Sequence, residues 1–174
     1  MIYKFKKDSH YSTLQFPSFL FWNNTIQSRV VKFSETCMYD DEGRSGQINK
    51  LFGFSQGFPH QANYLLIGWR SRKDLGGIEL LPYMHFNYEK IYYQRAPQHF
   101  IESENQDPFI LDDFNRSVFI TINTTDPKYY IFAVNGKIWH VLRANKPWFP
   151  IGYTLKPYFG GQLPAPHEMW IDMV

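Results

Sequence analysis

Apolar and polar residues alternate with a period of two over much of this chain. Ile78, Leu80, Pro82, Met84 and Phe86 interleave with Glu79, Leu81, Tyr83, His85 and Asn87, the spacing of a strand with one face on a core. Pro82 cannot donate to a ladder, so it predicts a bulge or a sheet edge there. Upstream, Ala62 to Arg70 is a nearly continuous apolar run, joined to the next strand by the polar loop Ser71–Gly77. Asn87-Tyr88-Glu89-Lys90 predicts a turn into a short strand, Ile91–Arg95. Further on, Val118, Ile120 and Ile122 alternate with Phe119 and Thr121, and Thr125-Asp126-Pro127-Lys128 reads as a turn. Tyr129–Val134 and Lys137–Arg143 flank Asn135-Gly136, the strongest short hairpin signal in the chain. Ile151–Phe159 and His167–Val174 complete the series. A helical turn is predicted around Glu104 to Asp113, and no long amphipathic helix is visible. Asp40 to His60 is Gly-bearing and reads as a long loop, of the kind that carries function or covers a sheet edge.

Strands at intervals of about 10–15 residues, with hairpin-length links, predict an all-β fold: a two-sheet antiparallel β-sandwich. The 174 residues show no repeat or linker and fit one domain, 1–174. The core material is aromatic, with 16 Phe, 12 Tyr and 5 Trp, types that suit both pleated sheets and ligand surfaces.

Three segments carry a resemblance. They are Ile48-Asn49-Lys50-Leu51-Phe52-Gly53-Phe54-Ser55; Ile67-Gly68-Trp69-Arg70 followed by Gly77-Ile78-Glu79-Leu80; and Pro157-Tyr158-Phe159-Gly160-Gly161 with Pro164-Ala165-Pro166-His167. In this order, over Arg29 to Met173, they resemble small jelly-roll proteins of Bacteroidetes-type bacteria, which are similar to the concanavalin A-like lectin/glucanase superfamily. The resemblance implies a jelly roll whose last strand lies near its first. It also implies a choice among lectins, glycoside hydrolases, polysaccharide lyases and plain binding modules. The Phe-Gly-Gly stretch reads as architectural, because Gly160 and Gly161 permit positive φ and the prolines stiffen the link.

A sugar site needs flat aromatics beside fixed donors and acceptors. Trp69, Arg70, Glu79, Tyr83, His85 and Trp139 are the candidate ligand-binding residues, and Glu79, Tyr83 and His85 share one sheet face unless a bulge at Pro82 intervenes. The competing reading makes Tyr83 and Trp69 core residues and Glu79–Arg70 a structural ion pair. Glycoside hydrolysis needs two facing carboxylates, and the Glu-x-Asp-x-x-Glu motif of the superfamily's retaining glucanases is absent. A polysaccharide lyase would use Arg70, Tyr83 and His85 to neutralise a uronate and move its protons, with His60 or Gln61 in support. The Gln-Ile-His triplet of alginate lyases of this fold is not matched, since Asn49 follows Gln47-Ile48. A non-catalytic carbohydrate-binding module is therefore the leading expectation, ahead of an enzyme acting on a polysaccharide and of an assembly protein without a small ligand.

No cofactor is expected beyond a structural calcium, for which Asp40, Asp41 and Asp172, with Glu42, are weak candidates. The balance of 18 Lys+Arg against 16 Asp+Glu gives a net charge of +2, which argues against a nucleic-acid partner. One cysteine, Cys37, excludes an intrachain disulfide. No apolar run is long enough for a spanning helix, so no membrane insertion is expected. The start, Met1 to Lys7, lacks the apolar region of a secretory leader, which predicts a cytoplasmic protein unless a leader has been removed.

Overall fold

The computed structural model describes residues 1–12, 18–21, 24–40, 47–56, 63–86, 89–101, 106–143 and 151–174. They hold strands β1 (Ile2–Phe5), β2 (Phe19–Phe21), β3 (Ile26–Phe33), β4 (Asn49–Gln56), β5 (Asn63–Arg72), β6 (Gly77–Phe86), β7 (Glu89–Ile91), β8 (Phe109–Leu111), β9 (Val118–Asn123), β10 (Tyr129–Val134), β11 (Lys137–Leu142), β12 (Ile151–Leu155) and β13 (Met169–Met173). A six-stranded sheet runs β1-β13-β3-β9-β10-β11. A seven-stranded sheet runs β2-β12-β4-β5-β6-β7, with β8 also on β6. Neighbouring strands are antiparallel, and the two sheets pack face to face: the fold is an all-β sandwich.

The alternation decides what lies between the sheets. Leu65, Ile67 and Trp69 of β5 and Ile78, Leu80, Met84 and Phe86 of β6 meet Ile120, Ile122, Tyr130, Phe132, Trp139 and Ile171 from the other sheet. Each such side chain contributes about 1.5–3 kcal/mol by leaving water. Trp69 sits against Phe33, Tyr39 and Phe159, with ring centroids 5.5–6.2 Å apart. The chain ends are tied together, since β1 pairs with β13 from Ile2↔Asp172 to Phe5↔Met169. Asn135 and Gly136 both have positive φ, at 46° and 87°, as the two-residue hairpin turn requires.

The Phe-Gly-Gly stretch is structural. A Cβ on Gly160 would lie 2.2 Å from the Ile48 carbonyl oxygen. The Gly160 N–H donates to the buried Asn49 Oδ1 at 2.8 Å, and Asn49 Nδ2 donates to the Tyr39 hydroxyl at 2.8 Å.

Several expectations need correction. Asp40–His60 is not one long loop, because it contains β4 in the middle of a sheet. Its alternation is broken by a bulge between Lys50 and Phe52, which turns both Leu51 and Phe52 into the core. Phe109–Leu111, expected to be helical, is strand β8 paired with β6. The short strand expected over Ile91–Arg95 ends at Ile91, and a turn follows it. The predicted turn at Asn87-Tyr88 lies outside the described residues. Pro82 makes no bulge, since the β5–β6 register is unbroken from Asn63↔Phe86 to Arg72↔Gly77. On its other side β6 pairs with β8 over Ile78–Leu80 and with β7 over Met84–Phe86. Pro82 falls between these two partners, at a local edge where no N–H is called for.

Candidate functional site

The continuous β5–β6 register sends Arg70, Glu79, Tyr83 and His85 to the outer face of the seven-stranded sheet. Trp69 and Trp139 do not join them. Both are fully buried in the inter-sheet core, Trp69 from one sheet and Trp139 from the other, and so cannot line a ligand surface. Trp69 is next to Arg70 in the strand, and neighbours in a strand point to opposite faces.

Of the remaining four, two form a structural unit. Glu79 has no solvent exposure. Arg70 holds it through Nε and Nη2 at 3.1 and 2.9 Å, and Arg72 adds a third hydrogen bond at 2.5 Å. Arg72 also binds the exposed Asp74, and the two carboxylates raise its pKa further. The Arg70 guanidinium is thus committed to Glu79. Tyr83 packs with Tyr64, Leu66, Leu81 and Ile48 in a second apolar cluster on this outer face. Burial raises the pKa of both Tyr64 and Tyr83, whose rings lie 5.8 Å apart. Neither phenol is a base near neutral pH. The candidate lyase set of Arg70, Tyr83 and His85 shares a face, but its arginine is occupied and its tyrosine is buried.

Following the register across the sheet reveals an arrangement that the sequence did not disclose. Phe19 pairs with Tyr153, Tyr153 with Ser55, Ser55 with Tyr64, Tyr64 with His85, and His85 with Lys90. One row therefore crosses six strands on one face, and five inter-strand steps give it a length of roughly 24 Å. Phe19 is 80% exposed, and Tyr153, His85 and Lys90 reach solvent, while Ser55 and Tyr64 are buried. Lys50 covers the middle: its ammonium lies 4.5 Å from the Tyr64 ring centre and 5.4 Å from that of Tyr158. Burial, and then the charge of Lys90, lower the Lys50 pKa to about 8. Tyr92 stands 5.8 Å from Tyr83, and His85 5.1 Å from Tyr64, ring to ring.

The calcium candidates are engaged elsewhere. Asp40 pairs with Lys73 at 2.6 Å, and Asp172 with the N-terminal ammonium at 2.9 Å. Asp41 and Glu42 lie outside the described residues, as do His60 and Gln61. Among the described residues no three His, Cys, Asp or Glu side chains gather as a metal site, and no helix is long and apolar enough to cross a membrane.

Compared with known proteins, the chain matches no family model and no curated sequence.

Proposed function

We propose that this chain is a non-catalytic, lectin-like jelly-roll module of the concanavalin A-like kind, which binds an extended carbohydrate across the outer face of its seven-stranded sheet. The supporting observation is the row Phe19–Tyr153–Ser55–Tyr64–His85–Lys90. It sets aromatic rings for the C–H faces of sugars beside hydroxyl, imidazole and ammonium groups for their oxygens. Its length suits a chain of sugars rather than a single one. Lys50, lying over Tyr64, is the group such a chain would meet midway. The carboxylates support the non-catalytic part. Among the described strand positions on this face Glu79 is the one acid, and two arginines hold it, so these positions supply no facing pair of the kind hydrolysis needs.

Calorimetric titration with a panel of soluble neutral and uronate polysaccharides tests this. At least one polymer is expected to bind saturably, and Tyr153→Ala or His85→Ala to weaken it about tenfold, or ~1.4 kcal/mol. Absence of saturable binding across the panel would overturn the reading. New absorbance from unsaturated ends on a uronate polymer would replace it with a lyase.

A further inference from the structure

The six-stranded sheet carries a separate feature. Over its strands β3 and β13 opens a cleft of about 310 Å³ whose lining includes Lys32, Ser34, Glu35, Phe114, Asn115 and Trp170. Lys32 and Trp170 come from β3 and β13, on the face of the six-stranded sheet turned away from the core. Ser34 and Glu35 come from the 3-10 turn Glu35–Cys37 and its cap. Phe114, which packs on the core, also lines the cleft. Trp170 remains 36% exposed.

The cleft is held in shape from beneath. The Trp170 carbonyl accepts the Ser34 N–H at 3.2 Å and the Cys37 S–H at 3.3 Å. Burial pushes the Cys37 thiol up to about 12, so it stays a neutral donor. The Ser34 and Thr36 hydroxyls bond each other, and His167 Nε2 bonds the Thr36 carbonyl at 2.7 Å. The strand that carries the indole and the turn that carries the carboxylate are thus joined by two hydrogen bonds, both to the Trp170 carbonyl. A ligand would find the two already placed, which lowers the cost of binding. Neither Lys32 nor Glu35 has an ion-pair partner among the described residues, so both charges are available to a guest.

We infer that this cleft is a second ligand site, which takes a single pyranose ring with its C–H face on Trp170 and its hydroxyls on Glu35, Lys32 and Asn115. The indole and phenyl rings offer an apolar wall. The carboxylate accepts from adjacent hydroxyls, and the ammonium and amide donate to ring and hydroxyl oxygens. Its volume holds one ring, where the sheet row suits a chain. It shares no residue with that row, so either site can fail without the other.

The test is a titration with methyl glucoside, methyl mannoside, methyl galactoside and methyl N-acetylglucosaminide, followed by tryptophan fluorescence and amide chemical shifts. At least one glycoside is expected to saturate in the millimolar range. Trp170→Ala should weaken it about tenfold or more, ~1.4 kcal/mol. Glu35→Gln, at an exposed and unpaired position that leaves the fold intact, should weaken it several-fold. Tyr153→Ala should leave it unchanged. If no glycoside saturates, or if the affinity is the same in both cleft variants, the second site is refuted. Binding abolished by Tyr153→Ala alone refutes the cleft and leaves the sheet-face reading standing. Saturation by free glycine, with no glycoside bound, reassigns the cleft to a zwitterion and refutes the sugar.

Discussion

A carboxylate shut away from water must have its charge met locally, and Glu79 meets it with two guanidinium groups on the neighbouring strand. Removing one partner of such a buried group leaves the other charges uncompensated, which costs far more than the pair itself is worth. Glu79→Ala is therefore expected to lower unfolding free energy by about 3–5 kcal/mol in urea titrations. Asp74→Ala, at the exposed end of the same arginine, should cost far less, because water screens that pair. Equal and small losses in both variants would mean that Glu79 is solvated. The two tryptophans show where reading single residues stops. Trp69 was paired in sequence with Arg70, although consecutive strand residues face opposite ways. Trp139 lies in a strand where Ile138 and Leu142 are exposed and Trp139 and Val141 are buried. With apolar residues on both faces of β11, hydrophobicity alone cannot say which face meets the core.

Among the elements, β4 was hidden by its bulge and β8 by its brevity, since three residues carry too little alternation to read. β6 and β9 to β11 were legible from their alternation or from an Asn-Gly turn, although β6 is buried on both faces. The β4 bulge also sets the position of Lys50. Past the irregularity Lys50 pairs with Gly68 and lies on the outer face, over Tyr64. Its folded pKa of about 8 lies below the ordinary 10.5, so between these values the unfolded chain binds more protons. Stability should then rise with pH from about 8 toward 10, and be lowest with respect to this group below 8, where the buried ammonium stays charged. Above the ordinary tyrosine value of 10.0, Tyr64 and Tyr83 ionise first in the unfolded chain, and stability should fall again. Lys50→Met should flatten the rise and stabilise the protein at pH 7 by about 1–3 kcal/mol, the ring contacts offsetting part of the burial cost. Thermal unfolding from pH 6 to 11 checks this, and a parallel profile in the variant would place the ammonium in water.

For the whole molecule, the two-layer antiparallel architecture could be read ahead of the structure because turn signals separate short, alternating, aromatic-rich segments. The surface could not be read so well. A row that crosses six strands joins residues from Phe19 to Tyr153, and only strand order and register bring them together. The cleft beside Trp170 likewise depends on β13 lying next to β3. The claim that matters most is that the outer face of the seven-stranded sheet receives a glycan chain. Amide chemical-shift mapping with a soluble oligosaccharide of the best-binding polymer tests it most directly. The perturbed residues should form a band through Phe19, Tyr153, Tyr64, His85 and Lys90, one position on each of five strands. Shifts confined to the six-stranded sheet, or scattered with no band across the strands, would contradict it.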